Sequence, residues 1–150
     1  MVFKSTPYYK NLPLFIKVYC IYFFIGGVII FGLALYEIFS TDEIKISIYG
    51  LSAIDQYSKV KLIIQTLYLI KFINVLGFYY GKKWSKQLGI FDAILGILIC
   101  LFVITEPLFM KTLVVPNRLP FDIIFVIWFL YILLSRRIDQ VYFKQKALNN

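Results

Sequence analysis

The sequence predicts an all-α, polytopic membrane protein: a four-transmembrane-helix bundle with its N and C termini cytoplasmic. Three observations lead there. Of 150 residues, 61% are apolar and the mean hydropathy is +0.79, well above the roughly half apolar content of soluble domains. The apolar residues fall in long runs bounded by Lys and Arg, the pattern of membrane spans. Aromatic residues make up 19%, with 12 Tyr and 15 Phe, which suits lipid contact and rings at both interfaces.

The first span is expected at 14–39, interrupted only by Lys17 near its start and Glu37 near its end. It exceeds the roughly 20 residues needed to cross the hydrocarbon core. Lys4 and Lys10 precede it as in a signal peptide, but the run is too long for an h-region and lacks a small-x-small cleavage site, so it is expected to stay as an anchor. Gly26, Gly27 and Gly32 within it point to a kink or a close helix contact. Lys17, Glu37 and, further on, Asp122 lie near interfaces, where they are expected to snorkel to water.

The second span is expected at 60–80 and the third at 88–105, with Glu106 before Pro107 ending it. The fourth, 120–137, is the shortest by hydropathy. Its flanks compensate: Pro120 suits a first helical turn, Asp122 suits the positive end of the helix dipole, and Arg136 and Arg137 reach the far interface. Beyond it, 138–147 reads as an amphipathic cytoplasmic tail, with Val141, Tyr142 and Phe143 on one side and Lys144 and Lys146 on the other. The whole chain, 1–150, is expected to form a single membrane domain.

Two external connections join these spans. In the first, 40–59, the alternation Ile44-Lys45-Ile46-Ser47-Ile48-Tyr49 fits either a short strand or a segment lying on the headgroups. Ser52 with Asp55 resembles a capping box, which would start the second helix about two turns ahead of its embedded part. The second, 106–119, carries Pro107 and Pro116 and is expected to be irregular.

Orientation follows from Lys and Arg. One side has nine: Lys4, Lys10, Lys82, Lys83, Lys86, Arg136, Arg137, Lys144 and Lys146. The other has five: Lys45, Lys59, Lys61, Lys111 and Arg118, interspersed with acidic residues. The positive-inside rule puts the first side, and both termini, in the cytoplasm. Trp84, between Lys83 and Lys86, marks the headgroup level.

The composition also narrows the chemistry. There is no His, which removes the commonest general base and metal ligand. Cys20 and Cys100 stand alone in apolar runs, so neither a redox pair nor a metal site follows from them. The net charge of +8 is gathered at span ends and not along one groove, so it points to topology and anionic headgroups, not to nucleic acid. No catalytic residue, metal or cofactor is expected, and no enzyme activity.

One polar group stands out. Lys71 falls near the middle of span two, where an unpaired lysine costs about 2.5–3.5 kcal/mol. Asp92 is its expected partner, because the short connection at 81–87 makes spans two and three antiparallel neighbours. Asn74 shares the face of Lys71, and Gln65 is a further candidate. Gly89, Ala93, Gly96 and Cys100 recur at four, three and four residues and form a seam of small residues through which another helix can approach. As a structural device, Lys71 and Asp92 set the register of the hairpin of helices. As a site, Lys71, Asp92 and Asn74 bind an anion or polar headgroup, or relay a proton.

Two functions follow. The first is a small non-catalytic accessory, assembly or partner-binding component, working through helix packing with another membrane protein or in a homo-oligomer. The second is a small oligomeric carrier, channel or lipid- and anion-binding protein using Lys71 and Asp92. A cavity at Lys71 discriminates between them. The richness in Ile, Lys, Phe, Tyr and Asn suggests an AT-rich genome, and the expectation that the first span is not cleaved favours a bacterial inner membrane as the expected location.

Overall fold

The computed structural model describes residues 7–40, 44–54, 58–110, 122–135 and 138–140, without the side chains of 7, 8 and 106–110. The order is α1 (Pro7–Asn11), α2 (Leu14–Phe39), β1 (Ile46–Ile48), β2 (Leu51–Ala53), α3 (Lys59–Tyr79), α4 (Trp84–Met110) and α5 (Asp122–Leu134). Three helices are long and apolar enough to cross a membrane: Leu14–Phe39, Lys59–Tyr79 and the Trp84–Thr105 part of α4. Only 22%, 39% and 33% of their most apolar windows are buried inside the protein. The rest is an apolar exterior of residues such as Ile21, Ile25, Leu98 and Phe102. Water does not tolerate a surface of that kind over three whole helices, so the chain is a multi-pass membrane protein.

Helix α2 packs on α3, α3 on α4 and α4 on α5. Close approach is built in at Gly27, where a Cβ would lie 2.8 Å from the Phe72 ring. The turn between α3 and α4 is a Schellman cap: Lys82 N donates to Gly77 O at 2.8 Å, Gly81 N donates to Phe78 O at 3.3 Å, and Gly81 has a φ of 66°. Helices α2 and α5 meet through rings, with Tyr19 stacked on Phe129 at 4.0 Å and Phe15 tilted against Phe125 at 4.9 Å. After α5 the chain stays on the bundle: Ile138 is buried and Lys86 Nζ donates to Asp139 Oδ1 at 2.7 Å.

Several expectations are corrected. The fold is not purely helical, because β1 and β2 form an antiparallel hairpin with Ile48 opposite Leu51. The loop residues Tyr49 and Gly50 have φ of 55° and 84°, positive at both positions as in a type I′ turn. Ser52 lies in β2 and does not cap a helix. The cap is Ser58, whose Oγ accepts from Lys61 N at 3.1 Å. Helix α4 starts four residues before 88 and continues past Glu106 to Met110, since a proline removes one backbone hydrogen bond without having to end a helix. The short α1 was not anticipated. Residues 141–147 of the expected amphipathic tail, and 111–119 of the second external connection, lie outside the described residues.

Candidate binding pocket

The hairpin dips into the bundle between the helices, held at both ends by lysines of α3. At its base, Lys61 Nζ donates to Glu37 Oε1 at 2.5 Å and to the carbonyls of Ile44 and Ile54 at 3.0 Å each. One cation thereby ties α2 to the backbone on both flanks of the hairpin, two residues before β1 and one after β2. Glu37 is 3% exposed, so the expectation that it snorkels to water is wrong. A buried carboxylate needs a buried partner, and Lys61 supplies it. Ten residues further along α3, about 15 Å of helix rise, Lys71 meets the tip. Three-residue strands cover about 10 Å of that depth, and the Tyr49 side chain spans the remainder.

Every polar group of Tyr49 is engaged. Its hydroxyl accepts from Lys71 Nζ, its backbone N donates to Asp122 Oδ2 at 3.1 Å, and its carbonyl faces Cys100 Sγ at 3.8 Å. The ring lies against α4 where Gly96 has no side chain; a Cβ there would sit 2.6 Å from Tyr49 Cζ. The seam of small residues therefore has two functions. Gly89 makes room for Leu133 of α5 and for Asn74 and Phe78 of α3, whereas Gly96 and Cys100 receive the hairpin and not another helix. Ala93 is fully buried between these levels.

Lys71 and Asp92 form an ion pair at 2.6 Å, each 1% exposed. Asp92 Oδ2 also accepts from the Tyr19 hydroxyl at 3.3 Å. The ammonium also lies 4.7 Å from the Phe23 ring centre, a cation–π arrangement that lowers the cost of its burial. Among the described residues its acceptors are Asp92 and Tyr49. Asn74 is fully buried next to this cluster, and neither its amide atoms nor Asp92 Oδ1 makes a hydrogen bond among the described residues.

On its other side Lys71 lines a cavity of about 500 Å³, within the usual range for small-ligand sites. Its walls are Val18, Tyr22 and Phe23 of α2, Tyr68 of α3, Tyr49 of the hairpin, and Asp122 with Phe125 and Phe129 of α5. Val18 and Tyr22 are 49% and 63% exposed, so the cavity reaches the protein's exterior beside α2. Of the residues expected at the site, Lys71 lines the cavity; Asp92 and Asn74 stand behind it, and Gln65 is not part of its wall.

Sequence reasoning missed Tyr49, Tyr19 and the Glu37–Lys61 clamp. A signal for the hairpin was present: Tyr-Gly between the alternating triplets Ile-Ser-Ile and Leu-Ser-Ala is a two-residue loop with Gly where a positive φ is needed. Among the described residues, no group of three or more His, Cys, Asp or Glu side chains is placed to hold a metal ion. Comparison of the chain with protein-family models, curated proteins and solved structures gives no match.

Proposed function

We propose that this protein is a non-catalytic, amphiphile-binding protein of the membrane, in which the cavity between α2 and α5 admits a lipid-like molecule laterally and its polar lining groups meet the molecule's polar end. One observation carries this reading: the buried Lys71, paired with Asp92, lines a cavity of about 500 Å³ whose other lining residues include Val18 and Tyr22 on the apolar exterior. A purely structural ion pair needs no such space, and a well-packed interior leaves few voids larger than a water molecule. The aromatic walls suit an apolar chain, and the hydroxyls of Tyr22 and Tyr68 with Asp122 suit a polar head.

The proposal includes four spans with cytoplasmic termini in a bacterial inner membrane. It rests on the excess of Lys and Arg around the α3–α4 turn and the two ends. Helix α5 has 13 described residues, about 20 Å of rise, and counts as the fourth span with its flanking residues included. A second reading, an accessory component held to another membrane protein or to a second copy, is favoured by the two closed ion pairs, Glu37–Lys61 and Lys71–Asp92. Each pairs a buried cation with a buried carboxylate.

Photolabelling tests the first reading. A lipid with a diazirine in its acyl chain, incorporated with the full chain into nanodiscs, is expected to label peptides bearing Val18, Tyr22 and Phe125. Labelling should fall severalfold in Val18→Trp, which fills the opening. Equal labelling of wild type and variant, spread over all outward faces, would reject the pocket.

A further inference from the structure

The charges around the cavity do not cancel. Lys71 is closed on Asp92 at 2.6 Å, with each side chain 1% exposed, so that pair carries no net charge. Asp122 differs: it is exposed, it lines the cavity, and no lysine or arginine among the described residues forms an ion pair with it. Its Oδ2 accepts from Tyr49 N at 3.1 Å, which satisfies a lone pair and leaves the negative charge in place. As the first residue of α5 it also meets the positive end of a helix dipole, roughly half an elementary charge, which offsets only part of its own. The other polar side chains in the lining are Ser47 and the phenols of Tyr19, Tyr22, Tyr49 and Tyr68, none of which supplies a cation.

The same carboxylate lies within the depth of the membrane. Tyr49, whose N–H it holds, has its carbonyl against Cys100 Sγ at 3.8 Å. Taking Trp84 as the headgroup marker, Cys100 is sixteen residues further along α4, about 24 Å of helix rise in a hydrocarbon core of roughly 30 Å. A negative charge there is costly without a counter-charge. An anionic head would repeat it, a neutral head would leave it unbalanced, and an ammonium would balance it. Tyr22, Tyr68 and Phe125 line the same space, and aromatic faces attract alkylammonium groups. The Phe23 ring already accommodates one ammonium, that of Lys71, at 4.7 Å. We infer that the pocket selects cationic amphiphiles, an alkyl chain with an ammonium head, over neutral and anionic amphiphiles of the same chain, with Asp122 as the counter-charge. This inference rests on the lateral pocket proposed above and assigns its ligand class.

The test compares three photoreactive probes of one chain length in phosphatidylglycerol nanodiscs holding the full protein: an alkyl trimethylammonium, a monoacylglycerol and a lysophosphatidic acid. Labelling of the Tyr22 and Phe125 peptides is divided by labelling at the outward-facing Leu98 and Phe102 of α4, which corrects for how much of each probe the bilayer holds. The expected ratio for the ammonium probe is at least about tenfold above that of either other probe, a factor worth about 1.4 kcal/mol. A ratio for the neutral or the anionic probe equal to or above it would overturn the selectivity while leaving the pocket in place. Absence of site labelling by all three would overturn the pocket itself. Asp122→Asn keeps an oxygen for Tyr49 N and removes the charge, whereas Asp122→Glu keeps the charge. With folding checked by monodisperse elution, the first is expected to bring the ammonium and neutral probes level, and the second to hold the preference. A preference that survives Asp122→Asn unchanged would overturn the assignment of Asp122 as the counter-charge.

Discussion

Tyr49 sits at a φ of 55°, in the left-handed region that costs a bulky residue of order 1–3 kcal/mol. Asparagine or glycine would relieve that strain, but neither provides a ring to fill the space at Gly96 or a hydroxyl for Lys71. Tyr49→Phe keeps the ring and removes the acceptor. It is expected to lower stability by roughly 1.5–3 kcal/mol, the usual worth of a hydrogen bond to a charged group, read from denaturant unfolding in micelles; an unchanged midpoint would exclude the contact. Lys71→Met leaves Asp92 buried and uncompensated, 1% exposed, and is expected to cost about 3–5 kcal/mol. The double variant with Asp92→Asn should recover most of that loss. If single and double variants unfold alike, the two side chains are not energetically coupled.

At the scale of elements, the hairpin is too short to stand alone, since two three-residue strands are marginal in isolation. It persists because α3 grips it at two levels, with Lys61 at the base and Lys71 at the tip. Lys61→Met removes the grip at the base and the cation paired with Glu37, so the amides of 46–53 are expected to exchange with deuterium much faster while those in the middle of α4 change little. Uniform exchange across both segments would show that the hairpin does not depend on the clamp. Gly96→Ala acts from the opposite face: its new methyl would meet the Tyr49 ring 2.6 Å away, and the overpacking is expected to cost roughly 1–3 kcal/mol. Gly32 has open space around it, so Gly32→Ala should be neutral or slightly stabilising by helix propensity.

Over the whole molecule, the order α2, α3, α4, α5 leaves the first and last of these helices joined by stacked rings and little else, and the cavity lies there. The asymmetry of Lys and Arg implies that a fluorescent protein fused to either terminus fluoresces in the cytoplasm, whereas alkaline phosphatase fused at either terminus stays inactive. Activity of the phosphatase at one end only would require an odd number of spans, and α5 would then not cross.

The sequence by itself determined the membrane-spanning character, because that depends on run length and apolarity, which are local and countable. It also singled out Lys71, Asp92 and Asn74 as one neighbourhood, since a short turn between two long helices leaves few ways to pair them. The hairpin's descent into the bundle, the burial of Glu37 and the cavity at Lys71 were decided only by tertiary structure. Each depends on residues far apart in the chain, Tyr49 with Asp122 and Glu37 with Lys61. Small residues at 89, 93, 96 and 100 announce that something approaches α4 closely. They are silent on whether it is a helix or a turn, because a missing Cβ admits either.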